Sequence, residues 1–491
     1  MSTLIQKFKQ LATGGLNRDT SEKFKQLPNI GDFDTEANYI AYADTLTSES
    51  NLLIKVYNSK SKRLISSKLN DVISVKDFGA LGDGTGDTPN DTGDDIENET
   101  WNTWDGTLFK TDTVYSPYWV GGTFNPPRAK PFYNTDTWDF IGISLSLWNL
   151  KSTYIPTGDY KINVGSLTAP YPFNGLVIMK GMEAAIFGDG MYKTTITTNE
   201  DAGFFITNAA TPYTLLTMYK TTAVPTIIRD ICFSGPPYYA STSTNLDLIQ
   251  CLNINGVTWH DLWLTSTYQG IHAYDNSGDS NIHNCTAEFC HSSTVKTDAS
   301  SEISVDFCNF VASETVTGQM AVSALGRTSI TNSRFIGFAG FSVSADNGIF
   351  NNNYVSSAAG GLGVQVKFIS NCVINGNQFY GASNDTMLAV QNNASITGNY
   401  FNNTGVHSII SLGNETTATN IVITGNTFIK TDLTVAAYNQ AIIAPVTGSS
   451  YTNAGTQSCI ISINTFQGPA LTTGLGTATI KANSFDGVYT P

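Results

Sequence analysis

The feature that most constrains the fold of this chain is a degenerate repeat between residues 228 and 485. In each repeat an aliphatic residue, termed here the anchor, is followed five positions later by an apolar or aromatic partner. Successive anchors are 19 to 38 residues apart, which fits a solenoid whose coils each hold three short strands joined by turns of variable length. The eleven pairs are Ile228/Phe233, Val257/Leu262, Ile282/Ala287, Val305/Phe310, Ile330/Phe335, Ile349/Tyr354, Ile374/Phe379, Ile396/Phe401, Ile423/Phe428, Ile461/Phe466 and Ile480/Phe485.

A second regularity lies between anchor and partner. Six consecutive repeats have an asparagine at the third position after the anchor, namely Asn352, Asn377, Asn399, Asn426, Asn464 and Asn483. Because a side-chain amide both donates and accepts hydrogen bonds, asparagines stacked from coil to coil predict a ladder along the solenoid axis. This pattern indicates structure and carries no catalytic weight.

Composition and charge agree with an all-β fold and narrow the class of partner. Only 13% of the residues are charged, which disfavours long exposed helices and suits many short strands. The net charge is −14, yet residues 1–70 hold 10 Lys and Arg against 7 Asp and Glu, so the rest of the chain is strongly acidic. A nucleic acid is disfavoured as a partner, since phosphate binding needs clustered basic residues.

The cysteines predict neither a disulfide-bonded nor a zinc-binding protein, and the apolar segments do not predict a membrane protein. The seven cysteines include no CxxC pair, which argues against a zinc site or a disulfide framework and favours reduced core residues. The sequence shows no signal-peptide pattern and no apolar run of about 18 residues, so no membrane insertion is expected. No cofactor is implied either.

A glycine-rich signature occupies residues 72–88 and reads VISVKDFGALGDGTGDT. Val72, Ile73 and Val75 predict a first strand, and the glycines predict tight turns with positive φ at Gly79, Gly82 and Gly84. The segment closely resembles the V-x-D-F-G-A-x-G-D-G-x-x-D-D-T signature of pectate-lyase-like β-helix proteins, including many phage tailspikes. This resemblance implies a right-handed parallel β-helix with a short, partly helical N-terminal segment.

Three regions follow from these patterns. Residues 1–70, with two copies of KFKQL and a basic stretch, are either solvated amphipathic segments or an attachment region that docks onto a phage tail or adaptor protein. Residues 71–165 hold the glycine-rich signature, a helix expected to begin at Asp139 and an inserted loop at 89–135. Residues 166–491 form the β-helix.

The inserted loop combines aromatic residues with carboxylates. Trp101, Trp104 and Trp119 accompany several Asp and Glu residues there, a combination suited to sugar binding. The alternative is that these aromatic side chains pin a long loop to the solenoid wall or to a neighbouring subunit.

Aligning the residues that precede each anchor places Asp275 and Asp298 in one column. Gln250, Ser323, Ser342 and Lys367 share that column in the alignment, and Lys296 flanks it. Carboxylates on adjacent coils would lie about 5 Å apart, which suits a retaining glycosidase, whereas a separation of two coils would suit an inverting one. The alternative is a solvated acidic face.

A second column, one residue after the anchor, places His283 beside Asp306. Acidic residues cluster over residues 261–306, which makes this belt the predicted site. The predicted catalytic residues are Asp275, Asp298, Glu288, Glu302 and Asp306, and the predicted substrate-binding residues are Lys296, His272, His283, Asp261, Trp101, Trp104 and Trp119. Each histidine could instead be a hydrogen-bonded turn residue.

The resemblance implies a tailspike depolymerase of the virion tail, a homotrimer that binds and cleaves bacterial capsule or O-antigen as an endoglycosidase with paired carboxylates. No catalytic residue can be carried over, because these positions differ among tailspike groups. A polysaccharide lyase is the alternative, although Lys296, Arg327, Arg334 and Lys367 are scattered in sequence, whereas a lyase needs clustered basic groups. A receptor spike that binds polysaccharide without cutting it is a further alternative.

Overall fold

A computed structural model of the chain divides into two compact units, Met1–Ile73 and Ser74–Pro491. It describes residues 53–55, 62–64, 72–96, 119–120, 123–124, 132–148, 152–162, 176–178, 185–198, 213–219, 226–235, 246–252, 256–274, 280–297, 302–312, 320–338, 343–357, 364–381, 386–404, 409–412, 418–430, 443–445, 456–457, 459–467, 470–471, 479–481, 483–486 and 489–490.

Strands dominate the described residues. Two helices, α1 (Pro89–Thr92) and α2 (Trp138–Trp148), and a 3-10 helix (Val75–Phe78) accompany them. The strands are β1 (Leu53–Lys55), β2 (Lys62–Leu64), β3 (Val72–Ser74), β4 (Trp119–Val120), β5 (Thr123–Phe124), β6 (Ser152–Ile155), β7 (Gly158–Ile162), β8 (Leu176–Ile178), β9 (Ile186–Gly188), β10 (Thr194–Thr198), β11 (Tyr213–Tyr219), β12 (Thr226–Ser234), β13 (Leu246–Leu252), β14 (Val257–Tyr274), β15 (Ser280–His283), β16 (Thr286–Thr297), β17 (Ile303–Asp306), β18 (Asn309–Val311), β19 (Met320–Thr331), β20 (Arg334–Phe338), β21 (Val343–Asn351), β22 (Tyr354–Ser357), β23 (Val364–Asn375), β24 (Gln378–Gly381), β25 (Thr386–Thr397), β26 (Tyr400–Asn403), β27 (Ile410–Leu412), β28 (Ala418–Thr424), β29 (Thr427–Lys430), β30 (Ile443–Pro445), β31 (Thr456–Gln457), β32 (Ile460–Ser462), β33 (Thr465–Gln467), β34 (Ala470–Leu471), β35 (Thr479–Lys481), β36 (Ser484–Asp486) and β37 (Tyr489–Thr490).

The first unit contains a short antiparallel pair in its described part. Strands β1 and β2 are joined in the register Leu53↔Leu64, Ile54↔Arg63 and Lys55↔Lys62. Residues 1–52, which include both KFKQL copies, lie outside the described part of the chain.

The second unit is a right-handed parallel β-helix, as the repeat and the signature predict. Its parallel pairings fall into three stacks. Sheet 1 contains β6, β9, β15, β17, β32, β35 and the segments 226–229, 257–260, 328–331, 348–351, 372–375, 394–397 and 421–424. Sheet 2 contains β7, β10, β18, β20, β22, β24, β26, β29, β33, β36 and the segments 231–234, 262–265 and 286–288.

Sheet 3 closes each coil. It contains β8, β11, β13, β27, β30 and the segments 269–274, 293–297, 320–324, 343–345, 364–368 and 386–390. Along each strand alternate side chains point into the solenoid, as the alternating burial of β15 and β17 shows. The inward residues form one continuous apolar core, and the outward residues form the three faces.

The anchors line the inner side of sheet 1, and nine of the predicted positions are confirmed by the register. The prediction is wrong at Val257 and Ile349, because the strands pair Trp259 with Ile282 and pair Phe350 with both Ile330 and Ile374. Phe350 is fully buried whereas Ile349 is only half-buried. Val257 is also buried but lies two residues earlier on the same inner face.

The partner residues on sheet 2 shift in the same two coils. Leu264 and Val355 fill the predicted places of Leu262 and Tyr354. Farther along the sheet, phenylalanine rings stack coil on coil, with ring centroids 4.6 Å apart for Phe379 and Phe401 and 5.0 Å apart for Phe401 and Phe428. Stacked aromatic rings bury large apolar areas.

The asparagine ladder is confirmed except for its first member, which is Asn353 rather than Asn352. Asn353 is buried and donates from Nδ2 to Oδ1 of Asn377 at 3.1 Å. Asn352 instead is exposed and has φ of 56°. Smaller residues take the ladder position in the preceding coils, where Ser333 donates from its backbone N–H to Oδ1 of Asn353 at 2.9 Å.

The glycine-rich signature folds back onto helix α2. Gly79, Gly82 and Gly84 have φ of 94°, 61° and 77°, as predicted. Val75 begins the 3-10 helix instead of continuing the first strand. The buried carboxylate of Asp139 accepts hydrogen bonds from the backbone N–H groups of Leu81 at 2.7 Å, Gly82 at 2.9 Å and Lys161 at 2.8 Å, which ties the signature to α2 and β7.

Candidate functional site

The bend between sheets 1 and 2 has a fixed plan that positions the candidate side chains. After each anchor comes one outward residue, then one residue with positive φ, and then the inward ladder residue. The positive-φ column contains Asp230, Asp261, Asn284, Phe307, Asn332, Asn352, Gly376, Gly398, Gly425 and Ile463. Asn, Asp and Gly adopt this backbone conformation at low cost, which explains most of the column.

Two histidines and two aspartates meet at this bend. The register pairs His260 with His283 and His283 with Asp306, the second of which the sequence predicts. The two imidazole rings stack with centroids 4.9 Å apart. His283 Nδ1 lies 3.5 Å from Asp306 Oδ2, and His260 Nδ1 lies 2.5 Å from Asp261 Oδ2.

Neighbouring polar side chains orient both carboxylates. Asp306 Oδ1 accepts hydrogen bonds from Thr331 Oγ1 at 2.6 Å and from Asn332 Nδ2 at 2.9 Å. Asn284 Nδ2 donates to Asp261 Oδ1. The side chains of Asp261 and Asp306 keep 26% and 29% of their surface exposed, so a ligand on this face can reach both carboxylates.

A groove runs along the same outer face, next to these residues. Its volume is about 310 Å³, and it is lined by Ser280, Asn281, Glu302, Ile303, Ser304, Arg327, Thr328, Ser329 and Ile349. Arg327 Nη1 lies 3.5 Å from Glu302 Oε1, and both side chains are largely exposed. Asn281 and His283 are two positions apart on one strand, so the groove and the His–Asp cluster lie on one continuous surface.

The structure therefore places four predicted site residues along the outer side of sheet 1: Asp261, His283 and Asp306 lie at the bend to sheet 2, and Glu302 lines the groove just before β17. We term this surface the sheet 1 belt. Other predicted residues lie elsewhere. Glu288 is on sheet 2, opposite Val311, while His272 and Lys296 pair on sheet 3, where His272 is buried.

The column that was predicted to hold Asp275 and Asp298 is only partly confirmed. Gln250, Ser323 and Lys367 do share one column, but the register places His272, Lys296 and Ser344 between them, where the alignment had placed Asp275, Asp298 and Ser342. The turn that joins sheet 3 to sheet 1 differs in length from coil to coil, so counting backwards from an anchor loses the register. Asp275 and Asp298 themselves lie outside the described residues.

The predicted aromatic residues of the inserted loop lie largely outside the described part of the chain. Trp101 and Trp104 lie outside it, and Trp119 is described only as part of the backbone of β4, which pairs antiparallel with β5. Near the start of the loop, Thr92 Oγ1 accepts a hydrogen bond from Trp138 Nε1 at 3.2 Å. Among the described residues, no group of three or more His, Cys, Asp or Glu side chains is arranged to hold a metal ion.

Sequence reasoning missed Asn284, Thr331 and Asn332, which orient the two aspartates. The sequence does contain a signal for them, because each of these residues follows an anchor by one or two positions, and the inward ladder position always follows the anchor by three. Reading the outward and positive-φ positions as columns would have placed them beside Asp261 and Asp306.

Comparisons with known proteins show no family for this chain. No family model and no curated protein matches the sequence. The solved structures with a similar fold include bacteriophage CBA120 tailspike protein 3, which is 12% identical with a TM-score of 0.49 over 92% of this chain and 68% of that one. In the part of the chain that the structure describes, no helix is long and apolar enough to cross a membrane.

Two bacterial enzymes are also similar in fold. The catalytic unit of the GH87 α-1,3-glucanase of Streptomyces thermodiastaticus is 12% identical, with a TM-score of 0.48 over 85% of this chain and 69% of that one. The A-module of the mannuronan C-5 epimerase AlgE6 of Azotobacter vinelandii is 15% identical, with a TM-score of 0.47 over 85% of this chain and all of that one. At these identities the likeness concerns the β-helix fold alone.

Proposed function

We propose that this chain is a polysaccharide depolymerase that hydrolyses glycosidic bonds at the sheet 1 belt. The observation that carries the proposal is the convergence of two His–Asp pairs, Asp261 with His260 and Asp306 with His283, beside an open groove. Paired, reachable carboxylates are what glycoside hydrolysis requires.

The spacing of the coils favours Asp261 and Asp306 as the catalytic pair. These residues are two coils apart, which corresponds to about 10 Å between their Cα atoms at about 4.8 Å per coil. Carboxyl groups about 6.5 to 9.5 Å apart leave room for a water molecule and give inversion. Glu302 directly precedes β17 and lies four residues before Asp306, about 13 Å away between Cα atoms in extended chain, which is less suitable.

We assign separate roles to the two carboxylates. Asp306 is held by His283, Thr331 and Asn332, and a carboxylate fixed in this way can position and deprotonate a water molecule as general base. Asp261 is assigned as the general acid that protonates the leaving oxygen, with His260 beside it. The polar side chains of the groove and the Glu302–Arg327 pair would bind sugar hydroxyls.

The wider assignment rests on the glycine-rich signature. Its resemblance to phage tailspikes supports a bacterial surface polysaccharide, capsule or O-antigen, as substrate and the virion tail as location. The same resemblance supports a homotrimer whose N-terminal region docks onto a tail or adaptor protein. Light scattering that gives a monomer of about 53 kDa would contradict the homotrimer.

The decisive experiment uses Asp261→Asn and Asp306→Asn, with a panel of purified capsular and O-antigen polysaccharides as probes. Each change should lower the cleavage rate by about 10²- to 10⁴-fold and leave binding of the intact polymer in place. Asp159→Asn is the matched control, because Asp159 is an exposed carboxylate on sheet 2. Full activity of both belt variants would refute the assignment.

A non-cleaving spike is the second candidate, and one observation favours it. Both belt aspartates are already bonded to imidazole and amide groups, an arrangement that also suits a surface that only binds. Polymer bound by the wild-type protein but unchanged in size would establish this alternative. Products with an ultraviolet-absorbing unsaturated uronate would instead establish a lyase.

A further inference from the structure

Phe307 lies at a positive-φ backbone position that is occupied by asparagine in the two adjacent coils. Its φ is 52°, and a bulky side chain in this region is strained because Cβ approaches the backbone. In the described column the other positions hold Asn, Asp or Gly, apart from Ile463. Backbone strain of this kind points to a role that the fold itself does not need.

Burial does not explain the aromatic ring either. Phe307 keeps 57% of its surface exposed, so it adds little to the core. Its backbone N–H donates to the carbonyl oxygen of Thr331 at 3.3 Å, as the N–H of Asn332 donates to that of Asn351 at 3.1 Å. The backbone at this bend is therefore satisfied in the same way whichever side chain is present.

The ring does lie beside the sheet 1 belt. It follows Asp306 in the chain and meets the His283 ring edge to face, with centroids 5.6 Å apart and an interplanar angle of 78°. Asn284 and Asn332 occupy the same column in the adjacent coils. An exposed apolar ring is thus surrounded by amide, imidazole and carboxylate groups.

We propose that Phe307 is a stacking platform for a pyranose ring of the bound polysaccharide. A sugar ring presents C–H groups on one face and hydroxyls around its rim, so it can lie on an aromatic face while neighbouring polar groups take the hydroxyls. This inference rests on the proposed function and adds to it a binding subsite next to Asp306.

The surroundings of Phe307 favour a sugar over a second copy of the chain. Stable protein interfaces bury at least about 1,000 Å² and have an apolar centre. The residues that flank Phe307 in sequence and in its column are instead polar or small: Asp306, Cys308, Asn284 and Asn332. A sugar, which is small and rich in hydroxyl groups, fits a site that consists of one exposed aromatic ring surrounded by polar side chains.

The test uses Phe307→Asn, because asparagine is the residue that adjacent coils place at this position. The variant should unfold at the same or a higher temperature than the wild-type protein and should bind polysaccharide about tenfold more weakly. Ile463→Asn is the matched control, since Ile463 has φ of 56° and is 67% exposed. It should gain stability in the same way without any change in binding.

Binding is measured by affinity electrophoresis with each polysaccharide of the panel that the wild-type protein retards. Phe307→Tyr should keep the binding and Phe307→Leu should lose it, which separates an aromatic face from mere bulk. Unchanged binding by Phe307→Asn, or weaker binding that follows a change in oligomeric state, would overturn the inference and leave the proposed function standing. A wild-type protein that binds no polysaccharide would overturn both.

Discussion

Asn399 donates a hydrogen bond from Nδ2 to Oδ1 of Asn426 at 2.9 Å, inside the β-helix where both residues are buried. The same side chain donates to the carbonyl oxygen of Ile374 at 2.9 Å, and its Oδ1 accepts from both the backbone N–H and Nδ2 of Asn377. The ladder thus links successive coils through groups that water cannot reach.

We expect Asn399→Ala to lower the free energy of unfolding by about 2 to 4 kcal/mol, because it leaves buried donors of Asn377 and the carbonyl oxygen of Ile374 without partners. Chemical denaturation followed by circular dichroism measures the change. Asn375→Ala is the control: Asn375 is exposed, and its Oδ1 accepts a hydrogen bond from Thr397 Oγ1 at 3.1 Å. This control variant should lose less than about 1 kcal/mol of unfolding free energy. An equal loss in the two variants would contradict the expectation that burial makes the ladder hydrogen bonds important.

Asp139 should be a second position where a single change destabilises the protein strongly. Asp139→Ala removes the acceptor of three backbone N–H groups in a buried site, and we expect a loss of about 3 kcal/mol or more. Asp139→Asn should lose less, since its oxygen can still accept from Leu81 and Gly82 while its amide faces the N–H of Lys161. Thermal and denaturant unfolding of the two variants tests this order, and the reverse order would refute it.

Asp189 should make stability depend on acid pH. Hydrogen bonds from the Tyr154 hydroxyl, and then from the backbone and hydroxyl of Thr157, hold the pKa of Asp189 below its ordinary value of 3.8. A lowered pKa in the folded state means that the stabilisation is present above the unfolded pKa and is lost as pH falls through the folded one. The stability gap between wild type and Asp189→Asn should therefore be largest near neutral pH and shrink below about pH 3. A constant gap would refute the linkage.

The cysteines should be unreactive in the folded protein. All seven are buried and free of disulfide bonds, and burial raises the pKa of the Cys290 and Cys372 thiols to about 12. Since the thiolate is the reactive form, iodoacetamide at pH 8 should modify none of the seven in the native protein and all of them after unfolding in urea. Mass spectrometry counts the adducts, and labelling of the native protein would contradict the assigned burial.

The sequence predicted the pairing of His283 with Asp306 because short counts within one coil are rigid. His283 and Asp306 each follow an anchor by one residue, with no turn between, so the anchors fix their register. The count failed by one at Phe350, where Ile349 precedes it and three consecutive asparagines follow. In such a segment either Ile349 or Phe350 could be the inward anchor on residue type alone. A shift of one residue between these two alternatives exchanges the inner and outer faces of the strand.

The sequence by itself determined the solenoid and most of its inward columns, since these follow from local alternation and from the ladder asparagines. Only the tertiary structure decided which residues of different coils share a face. Turns of unequal length separate sheet 3 from sheet 1, so the position of Lys296 relative to Ser323 depends on chain geometry that no residue count contains. The strain at Phe307 likewise becomes visible only when its φ is compared with that of the coils on either side.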